Sequence, residues 1–546
     1  MSPRDDAPVL IAGGGLVGLS TAMFLAHHGV ASLVVERLRG GSPLPRAAHF
    51  HVRTIELFRA AGIEAAVIEQ SAQEFLPEGA IIAMDDLSGK KLADIIPSLN
   101  VGVDDELTPC RRLFVSQPGL EPILRKVART ARAGVLEGHE VVDAEGDDDG
   151  VTVIVRDVDT GEEQTRRGPY LVAADGAHST LRERLGIPFD GRGVFSNSLT
   201  IYFTADLREQ LEGKPLSVIY INNPTFGGFF RVDKACRSGF LVVNTVGDPV
   251  ADPAAAANAA ADSSEERLRE LVRSGAGVPD LSVQIDGVAR WRASSDVARS
   301  YQAGRVLLAG DAAHVMPPNG GFGGNTGIQD AYDLAWKLAY VLQGYADPAL
   351  LDTYGAERRP VGILTVEQAY TRYVTRTATY LGATDFQPLV ADLEVELGYL
   401  YRSAAVTSGA GDGDGAVHAD PRATRARPGS RAPHLWVRRD GARISLLDLF
   451  GRRFVLLTGE GGTRWRAVAA DAAAAHPGLD LDVHGVGGPD LPTEGASFDE
   501  RYDVSRTGAV LVRPDGFVAW RARAGSADER AALGPALAAA LGRSAT

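Results

Sequence analysis

Apolar positions near the start of the chain fall in blocks. "VLIAGGGLVGLSTAMFLAHHGVASLVVER" (residues 9–37) holds four apolar residues, a glycine cluster, an apolar stretch of helical length, and a second apolar run that ends on an acid. Short continuous apolar runs bounded by glycine read as strands buried on both faces. The pattern predicts a strand over 9–12, a helix over about 16–28 and a strand over 32–36. The same outline recurs at "YLVAADGAHSTLRERLGI" (170–187) and at "RVLLAGDAAHVMPPNGGFGGNTGIQDAYDLAWKLA" (305–339), where a helix is predicted over about 325–342. Between these two, "SLTIYFTA", "LSVIYINN", "GFFRV", "GFLVVNTV" and "LSVQIDGV" predict an antiparallel sheet within 190–290. A surface helix behind Ser263 or Ser264 interrupts it. "RRPVGILTVEQAYTRYVTRTATYLG" (358–382) predicts a long helix. "TSGAGDGDGAVHADPRATRARPGSRAP" (407–433) has a linker's composition, and "VLVRPDGFVAWR" beyond it reads as strand, turn, strand.

Composition narrows the function classes. The chain has 546 residues, enough for two to four domains, and carries a net charge of −14. That argues against nucleic acid as the main partner, since phosphate binding needs a basic surface. The two cysteines, Cys110 and Cys236, suggest neither a disulfide framework nor a zinc site. A reducing cytoplasm is therefore expected. The N-terminal apolar run follows Asp5 and Asp6 and has fixed glycine spacing, so it is not read as a targeting signal. No run of membrane-spanning length is seen.

The glycines of the first block carry chemistry. Gly13, Gly15 and Gly18 make G-x-G-x-x-G, with Val17 inside it. Gly13 allows a sharp turn, Gly15 lets a pyrophosphate approach the backbone, and Gly18 lets helix and strand pack. The helix N-terminus then offers free N–H groups to phosphate. Glu36 ends the second strand, where an acid accepts ribose hydroxyls, and Arg37 follows it. Dinucleotide binding is the reading. An acid there fits FAD or NAD and disfavours a 2′-phosphate.

Taken in order, the glycine loop, the Asp175-Gly176 turn and the Gly310-Asp311 turn resemble the three fingerprints of group A flavin monooxygenases of the para-hydroxybenzoate-hydroxylase type. The resemblance covers about residues 8–400, and over the whole chain is nearest to anthracycline and angucycline polyketide hydroxylases. It implies an α/β and α+β architecture with three parts. These are a Rossmann-like FAD-binding domain (1–75, 111–189 and 291–406), an inserted mixed or antiparallel sheet domain for the substrate (76–110 and 190–290), and, after the 407–433 linker, a thioredoxin-like C-terminal domain (434–546) without C-x-x-C.

The resemblance also assigns residues. Asp311 meets the ribityl chain of non-covalent FAD. Gly321, Gly323, Gly324 and Asn325 leave bare backbone against the flavin, and Pro318 stiffens the loop where oxygen reacts. Arg46 approaches the phosphates, Gln117 reaches the cofactor and Val141 contacts adenine through its backbone. Asp175 belongs to the second fingerprint. Arg112 is a weaker cofactor candidate, with a surface salt bridge as its plain alternative. Phe203, Tyr220 and Phe229 are candidate substrate contacts. Arg376, one turn beyond Arg372, is a candidate to stabilise a phenolate. His51, with His49, is a candidate for proton handling near the flavin, and His314 reads as structural.

The implied reaction uses NAD(P)H, with NADPH favoured, and O2. A flavin C4a-hydroperoxide then hydroxylates a polycyclic aromatic polyketide. Baeyer–Villiger or ring-cleaving oxygenation is the alternative, and a flavin-binding scaffold without turnover the non-enzyme one. The tail carries no candidate flavin contact. It is expected to fold as its own core, to be separable from the flavin site, and to offer a homodimer contact.

Overall fold

The computed structural model describes residues 9–41, 48–76, 78–130, 133–211, 213–214, 216–247, 251–409 and 415–543. Strands Val9–Ala12 and Ser32–Glu36 flank helix Leu16–His27 as the apolar blocks predict. They join a six-stranded sheet in the order 302–303, 306–308, 170–173, 9–12, 32–36, 133–137. All its pairs are parallel except the first. Each apolar strand is covered on both faces, which explains its unbroken run of buried residues.

A second sheet of eight strands lies apart from the first. Its core is the antiparallel set Phe189–Thr204, Ser238–Val246, Phe226–Val232 and Leu216–Asn222. Leu216–Asn222 pairs parallel with Ala80–Met84, so the earlier segment completes a mixed sheet. The sheet reaches past residue 290, because Gln284–Ala298 is one long strand that also pairs with His314–Val315. Alternation divides the residues by face. Leu199, Ile201, Phe203, Ile219, Ile221, Phe226, Phe230, Leu241 and Val243 form a buried core with helix Glu265–Ala276. Their neighbours Tyr202, Tyr220, Phe229 and Phe240 point to the other face.

The tail differs from the expectation of a separable unit behind a loose linker. Phe454–Thr458, Trp465–Ala474 and Leu481–Gly485 form a βαβ unit, and two antiparallel strands and helix Leu533–Ala540 follow, a thioredoxin-like order. Its hydrophobic core is shared. Trp336, Tyr340 and Leu350 pack with Phe454, Trp465 and Leu537 in one cluster. Residues 421–434 are mostly buried rather than linker-like. Gly429 and Ala432 donate backbone hydrogen bonds to Val518 and Gly516, and Arg431 pairs with Glu56 with both side chains buried. Pro and Gly here prevent regular structure without preventing packing.

Buried charges complete the joint. Lys337 lies 2.8 Å from Asp333 and 2.7 Å from Glu357, and Arg513 of the tail lies 2.5 Å from Glu357. Arg513 also pairs with Asp515. Among the described residues, Asp333, Glu357 and Asp515 are the one group of carboxylates close enough to hold a metal ion. Lys337 and Arg513 already neutralise them. No described helix is long and apolar enough to cross a membrane.

Candidate active site

The three fingerprints converge on the N-terminal end of helix Leu16–His27. Gly13 has φ +97°, and a Cβ there would lie 2.3 Å from the Ala174 carbonyl, so the first and second motifs touch backbone to backbone. A Cβ on Gly18 would lie 1.9 Å from the Gly13 carbonyl. Val17 packs against the third motif: a Cβ on Gly310 or Gly327 would come within 2.7 Å or 2.6 Å of its Cγ2. Gly15 is the opposite case, since a Cβ there meets nothing within 4 Å. It caps the helix with no side chain over its N–H groups. Tight packing at Gly13, Gly18, Gly310 and Gly327 and open space at Gly15 is the arrangement a phosphate cradle needs.

Glu36 is buried, and its carboxylate accepts hydrogen bonds from Gly14 N–H at 2.5 Å and Leu38 N–H at 2.7 Å. It therefore builds the loop, and its remaining lone pairs are what a ribose can use. In Glu36→Gln the new NH2 opposes one of two N–H donors and the charge is lost. FAD affinity should fall at least tenfold, about 1.4 kcal/mol, as read by fluorescence titration of apoprotein. An unchanged dissociation constant would remove Glu36 from the site.

Other assignments meet mixed outcomes. Asp311 is exposed on the turn Gly310–Ala312, at the mouth of the cradle. Asp175 holds Ser179 Oγ at 2.6 Å and Leu181 N–H at 3.3 Å, and burial pushes its pKa up. It shapes the second turn beside Gly13. Gln117 starts helix Gln117–Thr130, with its amide on Glu121. Val141 is half-buried beside a bulge that interrupts the ladder before Asp143. Arg37 is exposed, and Arg46 lies outside the described residues. Gly323 and Gly324 are in the first turn of helix Phe322–Leu342, after Gly321 in the left-handed region and exposed Pro318.

Three readings need correction, and Asn325 has a role beyond its backbone: its whole side chain is spent on protein. Its Nδ2 donates to the His49 and Gly321 carbonyls, and its Oδ1 accepts from His51 N–H and Thr54 Oγ. It ties the glycine loop to residues 49–54. His51 is buried with Nε2 2.9 Å from the Gly320 carbonyl, and burial lowers its pKa, so it is a neutral loop support rather than a proton carrier. Phe203 packs edge-on against Phe230 in the core beneath the sheet, on the face opposite Tyr220 and Phe229. Arg112 makes a buried pair with Glu396 at 2.8 Å rather than a surface bridge.

Tyr220 and Phe229 do lie on the open face, with ring centroids 5.6 Å apart. Burial raises the Tyr220 pKa, and the charge of Arg376 pulls against that rise. Arg376 ends helix Asp352–Arg376, is exposed, and has no carboxylate partner among the described residues. Arg372, by contrast, is spent on Asp392 at 2.6 Å and Gln368 at 2.8 Å.

The sequence reading missed Asp330. Fully buried, it accepts from Gly310 N–H at 3.1 Å, contacts His314 Nε2 at 2.7 Å and pairs with Arg358 at 2.8 Å. It fixes the turn that presents Asp311 and gives His314 the structural role expected of it. An acid on the buried face of a predicted helix was the available signal.

Residues 6–369 match the family model described as FAD binding domain, and residues 425–544 match that of aromatic-ring hydroxylase, C-terminal. The chain belongs to the FAD-binding aromatic-ring hydroxylases. It is 49% identical over 545 residues to a 4-methyl-5-nitrocatechol 5-monooxygenase of a Burkholderia species, covering 99% of this chain and 98% of that one. It is 40% identical to the tetracenomycin A2 monooxygenase-dioxygenase of Streptomyces glaucescens, over 95% and 94% of the two chains. A crystal structure of aklavinone-11 hydroxylase with FAD and aklavinone superposes with a TM-score of 0.91 at 36% identity, covering all of both chains. The protein is a flavoprotein monooxygenase, and the open cradle at Gly15, Glu36 and Asp311 fits FAD.

Proposed function

We propose that the protein hydroxylates a phenolic ring of the aromatic polyketide class, held between the open sheet face and the glycine loop. The observation that carries this reading is the ring pair of Tyr220 and Phe229 on one sheet face, near enough to the Arg376 cation for its charge to act on the Tyr220 hydroxyl. FAD reduced by NAD(P)H supplies the oxygen-transferring chemistry when bound. The chain does the rest. Tyr220 and Phe229 offer ring faces to a flat substrate. Arg376 and the Tyr220 hydroxyl would receive the substrate oxygen, and a cation there favours the phenolate, whose ring is the richer in electrons. Helix Phe322–Leu342 aims its positive end at the glycine loop, where negative charge on a reduced flavin is favoured. The names of the relatives, a nitrocatechol enzyme and a tetracenomycin enzyme among them, support an aromatic substrate with oxygen on the ring.

The test is NADPH consumption by holoenzyme with candidate polyphenols under 18O2. The expected product gains one labelled oxygen and keeps its aromatic ring by NMR. An opened or expanded ring would favour the alternative oxygenation, and no stimulated NADPH consumption would remove the enzyme reading of this cavity. Arg376→Met should lower kcat most at low pH, where the phenol is least ionised in solution.

A further inference from the structure

The glycine loop is held from two sides. On one side, His51 Nε2 lies 2.9 Å from the Gly320 carbonyl, and Asn325 Nδ2 donates to that of Gly321 at 2.7 Å. On the other stands Asn319, directly after Pro317 and Pro318 and 5% exposed. Its Nδ2 donates to Thr377 Oγ1 at 2.9 Å, and its buried Oδ1 has no hydrogen-bond partner among the described residues. Thr377 is therefore the one described partner of this side chain. A buried amide with half its capacity unused is costly, and an apolar residue of the same size would avoid that cost. An amide kept at such a cost is accounted for by the bond that it does make.

Thr377 stands where a small shift would be felt. It caps helix Asp352–Arg376, whose last residue is Arg376. Residues at a helix end lack the next turn and fray unless tertiary contacts hold them. Here the last turn packs toward the sheet. Tyr373 meets Phe195 with ring centroids 5.3 Å apart, and Tyr370, Tyr373, Val374 and Ala378 cluster with Trp291 and Ala293 of strand Gln284–Ala298. The backbone N–H groups of Thr377 and Ala378 both donate to the Tyr373 carbonyl. None of these contacts reaches the glycine loop. Among the described residues, the hydrogen bond that joins this helix end to the loop is the one from Asn319.

We propose that Asn319 is a positioning residue for hydroxylation: through Thr377 it fixes the end of helix Asp352–Arg376, and with it the Arg376 cation, against the glycine loop. The proposal rests on Arg376 being the cation that favours the phenolate. Tyr220 and Phe229 offer ring faces to the substrate, but the ring can receive oxygen only if the cation that holds its own oxygen keeps a fixed distance from the loop. A displacement of about 1 Å at such a site costs a large factor in rate. When the ring is out of place, the two electrons of NADPH leave with O2 and two protons as H2O2. In productive turnover one oxygen atom enters the ring and the other leaves as water.

The experiment compares wild type, Asn319→Ala, Thr377→Val, their double variant and Arg376→Met as holoenzymes. Two quantities are read. One is the pH at which bound 4-nitrocatechol ionises, from its absorbance. The other is product formed per NADPH consumed, with H2O2 measured alongside, for the phenol that most stimulates consumption. Asn319→Ala and Thr377→Val should each raise the ionisation pH by about half a unit or more, a loss of about threefold in preference for the anion. Each should also divert NADPH to H2O2. The double variant should show no more than either single one, because both remove the same bond. Unshifted ionisation in Asn319→Ala overturns the proposal even where the yield falls, since a loosened loop alone would lower the yield. Additive shifts in the double variant overturn it too, because Asn319 would then not act through Thr377. Should Asn319→Ala lose its flavin, Thr377→Val is judged instead, and unshifted ionisation there overturns the proposal equally. Arg376→Met separates this from the functional reading. If it leaves the ionisation unchanged, the phenolate role of Arg376 and the positioning role of Asn319 both fall. A shift in Arg376→Met with none in Asn319→Ala or Thr377→Val removes the positioning role alone.

Discussion

Replacing Arg513 with Met is expected to destabilise the protein by about 3–5 kcal/mol, the usual cost of stripping one partner from a buried ion cluster. Arg513 is fully buried and pairs with Glu357 and Asp515, and Asp333 lies 3.5 Å away. Without it, three carboxylates share Lys337 alone. The deficit should depend on pH with a definite sign. Burial would raise the Glu357 pKa, but Arg513 and Lys337 hold it below the ordinary value. A depressed carboxylate contributes stability that is full above its unfolded pKa, near ~4.3, and is lost as pH falls through the folded value. The gap between variant and wild type should therefore be widest near neutrality and close in acid. Urea denaturation followed by tryptophan fluorescence at several pH values measures it, and a constant gap would show that Arg513 acts through packing alone. By the same argument, a chain ending near Pro421 should be insoluble or lose its flavin. It would expose Trp336 and Tyr340 and leave Lys337, Asp333 and Glu357 without Arg513.

Asp330→Ala should cost a similar amount, about 3–5 kcal/mol, and should also release the flavin. It removes the counter-charge of Arg358, the anchor of His314 and the acceptor for Gly310 N–H, all of them buried. The turn that carries Asp311 then loses the carboxylate that accepts from Gly310 N–H. Asp330→Asn keeps the shape and an acceptor for Gly310 but not the charge, and should retain more flavin than Asp330→Ala. Flavin content after gel filtration and the unfolding midpoint report the two effects separately. Equal flavin content in both variants and the wild type would mean that the turn is held by its own backbone.

The glycine fingerprints were legible because their demands are local. Gly13 and Gly18 are needed by contacts between backbones a few residues apart or at the ends of adjacent strands, and Gly310 by a left-handed turn against the Val17 side chain. The apolar runs that place those strands are visible in the chain itself. The alternation of Tyr220, Phe229 and Phe203 announced strands but not which face met the cavity, since period two carries no sign. Phe203 fell on the wrong side for that reason. His51 was marked as a site residue by position, yet its Nε2 is held by the Gly320 carbonyl.

What the sequence alone determined was the kind of cofactor site, the class of protein and most of the elements. Spacing of glycine, acid and apolar runs is enough to specify a phosphate cradle on a parallel sheet. Tertiary structure alone decided which charges are paired. Arg513 reaches Glu357 across 156 residues, Arg431 reaches Glu56 across 375, and Arg112 reaches Glu396 across 284. No local pattern tells which partner each of these arginines meets: Arg112 directly follows Arg111, and Arg431 closes an arginine-rich stretch. Burial forces the pairing: a guanidinium removed from water must find an acid, a ring or a ligand, and only the folded chain shows which of these it has found.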